Sequence, residues 1–156
     1  MIDGNWLPSH RADPRGLALY KRHYSARKNA GQRGSRSLNF VAAGAPMVLL
    51  TRDCDAVFVW LKNTAERYDH QSGVCCCLFR NEGPVLSSVL IAEADALAWA
   101  RWPGERHFTY VDPAAVRSSN PGWTFQCAGW RKCGRSRSGL LLLERLPDPA
   151  PEEVDP

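Results

Sequence analysis

No stretch of this 156-residue chain is apolar for long enough to cross a bilayer. A membrane helix needs about 20 such residues, and the greasiest run, residues 139–143, falls far short. The first ten residues, Met1-Ile-Asp-Gly-Asn-Trp-Leu-Pro-Ser-His10, lack the charged-then-apolar order of a secretion signal. Both absences lead to the expectation of a cytoplasmic protein with no membrane partner. Cys-x-x-Cys pairs are missing, and no His stands at finger-like spacing from Cys54, Cys75, Cys76, Cys77, Cys127 or Cys133. That pattern argues against structural zinc. Neighbouring residues on a strand point to opposite faces, so the three consecutive cysteines cannot all converge on one ion. Free thiols in a reducing compartment, with no metal, are the expectation. An internal repeat is also absent, which argues against solenoids and propellers.

What is present is enough for one domain. At 17.4 kDa and 44% hydrophobic residues the chain can build a single core. We expect that domain over residues 1–146, with residues 1–13 as an extended N-terminus. Residues 147–156 hold four prolines and four acidic side chains and read as a disordered tail. The net charge of +4 is unevenly spread. Residues 1–40 hold eight basic side chains against Asp3 and Asp13, and Arg131, Lys132, Arg135 and Arg137 form a second basic group. Basic clusters beside aromatic residues suit a polyanion or a phosphate-bearing ligand, or simply a solvated face.

Along the chain, residues 14–28 read as a helix with Leu17, Tyr20 and Tyr24 on one face. The runs 47–51 and 56–62 are β-rich and joined by the turn Arg52-Asp-Cys-Asp55, which predicts a hairpin. Residues 63–72 are a polar loop. Residues 73–79 are nearly all apolar, as in a central strand buried on both faces. Residues 84–101 predict a long helix started by Gly83-Pro84, with Val85, Val89, Ala92, Ala96 and Trp99 at helical spacing. A strand follows at 107–111, and a last hairpin pairs 130–132 with 140–144. Helix, strands, long helix, strand, short helix and strands make an α/β fold, a mixed sheet with helices on both faces.

The segment between Tyr110 and Trp130 carries the most chemistry. Asn120 suits a helix N-cap, Pro121 the first helical position, and Gly129 the closing turn. The bend therefore gathers Ser118, Ser119, Asn120 and free helix N–H groups at the carboxyl end of a strand. Open sheets that carry helices bind ligands there.

This order of elements resembles the Gcn5-related N-acetyltransferase (GNAT) superfamily, in which the sheet is mixed and mostly antiparallel. Arg80-Asn-Glu-Gly83-Pro-Val85 is similar to its pyrophosphate loop, Gln/Arg-x-x-Gly-x-Gly/Ala. Arg80 and Gly83 match, while Pro84 removes a donor and Val85 replaces a small residue. The Ala-Gly-aromatic step at Ala128-Gly129-Trp130 is also similar. The family's helical Tyr acid has no counterpart, because Trp123, Phe125 and Cys127 occupy that helix. At a finer level His23-Tyr-Ser25, Ser87-Ser88 and Ala98-Trp-Ala-Arg-Trp-Pro-Gly104 resemble small phage and prophage proteins linked to DNA-base hypermodification, relatives of Mom. The likeness covers residues 15–146.

The resemblance implies acetyl-coenzyme A, or another acyl-coenzyme A, as cofactor. It would enter a gap between strands near Phe79 and Val111 and be held by Phe79, Arg80, Asn81, Gly83, Ser87, Ser88, Ser118, Ser119 and Asn120. The acceptor would be an amine of DNA or of a modified nucleotide, in the host cytoplasm if the chain is phage-encoded. Lys21, Arg22, Arg27, Lys28, Arg33, Arg36, Arg131 and Arg135 are the nucleic-acid candidates. Asp112, Tyr110, His23 and Glu82 are the candidates for proton handling, and backbone N–H groups around residues 76–79 for polarising the carbonyl. Two other readings stay open: a non-catalytic nucleic-acid-binding protein on the same fold, and an acetyltransferase for small-molecule amines. Either a monomer or a dimer is compatible with these patterns.

Overall fold

The computed structural model describes residues 4–23, 44–116 and 119–148. Seven strands form one open sheet: β1 (Trp6–Ser9), β2 (Ala45–Thr51), β3 (Ala56–Lys62), β4 (Val74–Asn81), β5 (His107–Val111), β6 (Arg131–Arg135) and β7 (Leu141–Arg145). Their order across the sheet is β1-β2-β3-β4-β5-β7-β6, with every neighbouring pair antiparallel except β4 and β5. Among the described residues, three helices accompany it: α1 (Pro14–Arg22), α2 (Ser87–Arg101) and α3 (Trp123–Cys127). The α/β class and the mostly antiparallel sheet are as expected.

Alternation along β3 divides the core in two. Phe58 and Trp60 pack with Cys76 of β4 and with Leu90, Ile91, Ala94 and Ala98 of α2. The intervening Val57, Val59 and Leu61 pack instead with Leu17 and Leu19 of α1. Two indoles fasten α2 to the sheet: Trp6 Nε1 donates to the Leu90 carbonyl (2.8 Å), and Trp60 Nε1 to that of Ala94 (3.0 Å). In the tight turn between β2 and β3, Thr51 Oγ1 accepts from the Asp55 and Ala56 N–H groups.

Several local expectations need correction. Within the N-terminal segment Trp6–Ser9 adds an edge strand to β2. Helix α1 ends at Arg22, since His23 turns to extended backbone; residues 24–28 lie outside the described residues. Helix α2 begins at Ser87 rather than Pro84, and its buried face is Leu90, Ile91, Ala94, Asp95 and Ala98. The set Val89, Ala92 and Ala96 faces solvent instead. This helix is apolar nearly all round, so periodicity selects no face; the larger Leu and Ile side chains claim the core. Helix α3 begins at Trp123 with Gly122 as its N-cap, not at Asn120 and Pro121. Gly122 has φ +84°, and a Cβ there would press within 3.0 Å of Leu143. Helical backbone cannot run back through that residue.

The end of α3 forms as its sequence predicts. Gly129 (φ +95°) lets its N–H reach the Gln126 carbonyl and the Trp130 N–H reach that of Phe125, both at 3.0 Å. That double closure is a Schellman turn, and its apolar contact is the edge-on packing of Trp130 on Phe125, ring centres 5.0 Å apart.

Candidate functional site

Strand β4 reads Val74-Cys-Cys-Cys-Leu-Phe-Arg-Asn81, apolar until its last two residues. Its register with β3 slips by one residue. Val59 pairs with Leu78 and Trp60 with Cys76, which leaves Cys77 as the extra residue of a bulge. A bulge bends the strand and increases its twist. Parallel pairing with β5 covers only Val74/His107, Cys75/Phe108 and Cys76/Thr109. There the ladder stops, and Thr109 Oγ1 donates to the Cys76 carbonyl at 2.8 Å, satisfying an acceptor at the point of parting. The expected burial of this strand on both faces therefore fails at Cys77, which the bulge exposes.

Beyond that point a cavity of about 170 Å³ separates the two strands. Cys77, Leu78 and Phe79 line it from β4, and Thr109, Tyr110 and Val111 from β5. His23, just after α1, and Thr124 and Phe125 of α3 complete much of the wall. Phe79 is held edge-on to Phe125 with ring centres 6.1 Å apart, so its position depends on both β4 and α3.

The groups around the cavity are electrostatically fixed. Tyr110 donates its hydroxyl to Asp69 Oδ2 (3.0 Å), and Arg67 grips the same carboxylate with two bonds, 2.9 and 2.8 Å. Arg67 holds Asp69 down to about 2. Burial, helped by the bond to Asp69, pushes Tyr110 up to about 12. Tyr110 is thus a neutral phenol at neutral pH and a poor base. Burial, with the Arg80 charge nearby, lowers His23 to about 4, so its imidazole is neutral.

The other sequence candidates sit around this cavity rather than in its wall. Asp112 is buried and its Oδ1 accepts the Ala114 N–H at 3.0 Å, the bond of a tight turn after β5. Glu82 is clamped by Arg22 (2.7 Å) and Arg80 (2.6 Å), which hold it down to about 2 and make it unfit to accept a proton at neutral pH. Asn120 donates to Gln126 Oε1 (2.8 Å) and accepts from Lys132 Nζ (2.6 Å), while Ser119 is exposed. Ser118, Arg27, Lys28, Arg33 and Arg36 lie outside the described residues.

The loop before α2 is internally bonded. Glu82 N–H donates to the Asp55 carbonyl (2.7 Å), Gly83 N–H to Asn81 Oδ1 (3.0 Å), and Asn81 Nδ2 to the Val85 carbonyl (2.7 Å) and Ser87 Oγ (3.1 Å). A Cβ on Gly83 would overlap the Asp55 carboxylate, which would have to turn aside to admit a side chain. Val85 turns inward against the core around Phe58 and Leu90. Leu86, the N-cap of α2, makes no side-chain cap bond, and the first turn of the helix holds no acidic residue to offset its dipole.

The described basic candidates fall into two places. Lys21 and Arg22 end α1, and Arg131 and Arg135 lie on the edge strand β6. Strand β6 stands three strand spacings from β4, roughly 14 Å. Arg131 is also tied to Glu144 at 2.6 Å. Among the described residues no group of three or more His, Cys, Asp or Glu could hold a metal ion, and no described helix is long and apolar enough to cross a membrane.

Cys77, Thr109, Thr124 and Arg67 were not singled out by the sequence reading. Their importance comes from the bulge and the short parallel ladder, neither of which leaves a residue-type signature. Comparison with protein-family models, with curated proteins and with solved structures found no match.

Proposed function

We propose that this chain is an acyl-coenzyme A-dependent N-acyltransferase with a GNAT-like fold, acting on an amine of a modified nucleobase or nucleotide. The observation that carries the reading is the parting of β4 from β5 after Cys76 and Thr109, with a cavity in the gap. The uncapped N-terminus of α2 follows directly from the open end of β4. The placing of α1 and α2 against alternate residues of β3 is compatible with helices on both faces of a GNAT sheet.

In this reading the pantetheine arm lies between Phe79 and Val111, and the pyrophosphate meets the first turn of α2 with Ser87 and Ser88. The coenzyme supplies an activated thioester. The protein's part is to fix the carbonyl, exclude water and manage the amine proton. Peptide N–H groups at the bulge near Cys77 are suited to polarise the carbonyl oxygen, since the strand holds them in place at the cavity. His23 lines the cavity as a neutral imidazole, and the shift to about 4 makes it a weak base. Tyr110 keeps its proton and serves to orient the acceptor.

One observation favours a second reading, a non-catalytic nucleic-acid-binding protein. Arg80 is committed to Glu82, and the Asp55 carboxylate lies over Gly83, which brings negative charge to the loop that would meet phosphates. Equilibrium dialysis separates the two. Micromolar binding of acetyl-coenzyme A, with acetyl transfer to amine-bearing modified DNA read by mass, supports the enzyme. Absence of coenzyme binding beside salt-sensitive DNA binding supports the module.

A further inference from the structure

A second cavity, of about 220 Å³, lies between the carboxyl end of α2 and the β1–β2 edge of the sheet. Trp6 and Pro8 line it from β1, Met47 and Leu49 from β2, and Leu97 and Arg101 from the helix. No residue lines both this cavity and the gap between β4 and β5. Two of its three polar side chains are spent on the fold. Trp6 Nε1 donates to the Leu90 carbonyl, and Ser9 Oγ donates to Asp13, whose carboxylate is gripped by Arg15. Arg101 is the third. Its Nη1 donates to the Pro46 carbonyl at 2.8 Å, and its guanidinium stacks 4.6 Å over the Trp102 ring, so the charge is held in place. No carboxylate among the described residues pairs with it.

Arg11 repeats the arrangement. Strand β1 ends at Ser9, opposite Val48, and its pairing does not reach the first residues of β2. There Arg11 Nη2 donates to the Gly44 carbonyl at 3.0 Å, two residues before Pro46, or about 7 Å along an extended chain. Arg11 also has no carboxylate partner among the described residues. Two anchored guanidiniums therefore stand beside an apolar cavity whose lining holds no acidic residue. The guanidinium fork matches a carboxylate, and the apolar wall takes hydrocarbon out of water.

We propose that this cavity binds a free monocarboxylic acid with a short apolar chain. The chain lies among Trp6, Met47 and Leu97, the carboxylate meets Arg101, and Arg11 adds to the attraction. The volume is below the roughly 300–1,000 Å³ of sites for drug-sized ligands, which keeps the occupant small. Two fixed forks suit a single carboxylate, whereas an anionic membrane surface is met by clusters of about 4–8 basic residues.

The test is to titrate octanoate into the full isotope-labelled chain and follow its backbone amides by NMR. Octanol and phosphatidylglycerol vesicles are the comparison probes, and melting curves establish that each variant is folded. The expected result is saturable shifts at Met47, Val48, Leu97 and Arg101, with octanol binding at least about tenfold more weakly. Arg101→Gln keeps a donor for the Pro46 carbonyl but loses the charge. It should bind octanoate roughly ten- to a hundredfold more weakly, as loss of a charged hydrogen bond gives, with octanol unchanged. Arg101→Lys, which keeps the charge without the fork, should fall between. Absence of saturable shifts at these amides, equal binding of octanol and octanoate, or wild-type octanoate binding by Arg101→Gln overturns the proposal. Binding of the vesicles without the free acid also overturns it, because the face would then be a membrane contact.

Discussion

Replacing Asp95 with alanine should be among the most damaging single changes in the core. Its carboxylate is only 3% exposed, on the inner face of α2. One oxygen meets His107 Nδ1 at 2.7 Å and the other accepts from Trp130 Nε1 at 2.9 Å. The carboxylate thereby joins α2 to β5 and to the residue that closes α3. It also places the His107 ring proton on Nδ1. His107 itself is fully buried between Trp60 and Trp99, each ring centre 4.4 Å away, and its Nε2 has no hydrogen-bond partner among the described residues. Asp95→Ala strands two buried donors, at about 1–3 kcal/mol each, for a loss of roughly 2–6 kcal/mol. That is a large share of the about 5–15 kcal/mol that holds a domain folded. At about 2–4 °C per kcal/mol, a middle value of ~4 kcal/mol lowers Tm by roughly 8–16 °C. Asp95→Asn keeps one acceptor oxygen but turns an NH₂ toward a donor, so it should cost less than alanine and more than a surface change. Urea unfolding followed by circular dichroism measures all three proteins. An Asp95→Ala loss below about 1 kcal/mol would refute the reasoning, because it would mean the two ring N–H groups find other partners.

Three further outcomes follow from the same geometry. Glu82 is held down to about 2 from 4.5 by Arg22 and Arg80, so its contribution to stability is present above pH 4.5 and lost as the pH falls toward 2. Melting curves of wild type and Glu82→Gln should therefore differ at pH 7 and converge near pH 2; a constant gap would contradict the clamp. His23, lowered from 6.5 to about 4, takes up its proton more readily in the unfolded chain, so it withdraws stability as the pH drops from 6.5 toward 4. Its imidazole proton resonances should titrate with a midpoint near 4, and a midpoint above 6 would show that the ring is solvated. Gly122→Ala forces a side chain onto φ +84° and against Leu143, and should destabilise by about 1–3 kcal/mol in the same urea assay, whereas a neutral result would show that the start of α3 can relax.

Much of the architecture was legible because it rests on local chemistry. The β2–β3 hairpin follows from two β-rich runs around a four-residue turn, and the Gly129 closure from the need for positive φ. The face of α2 was not legible, since valine, alanine and leucine occupy every side of it and the buried polar residue, Asp95, is explained only by the distant His107 and Trp130. The start of α3 was misplaced because Asn120 and Pro121 suit a cap, while contact of Gly122 with Leu143 lies 21 residues away. The site divides in the same way. His23, Tyr110 and Phe79 line the cavity, whereas Arg80, Glu82 and Asp112 are engaged in ion pairs or a turn. Cys77 was hidden, because a bulge is a property of two strands in register and cannot be read from one of them.

The account depends on the gap between β4 and β5 being the place where a pantetheine arm lies. Titrating the isotope-labelled protein with acetyl-coenzyme A and following its backbone amides by NMR tests this directly. The expected result is saturable shifts at Cys77, Leu78 and Phe79, at Tyr110 and Val111, and at Ser87 and Ser88 in the first turn of α2. Shifts confined to the basic residues of β6, or none at any concentration, would contradict it.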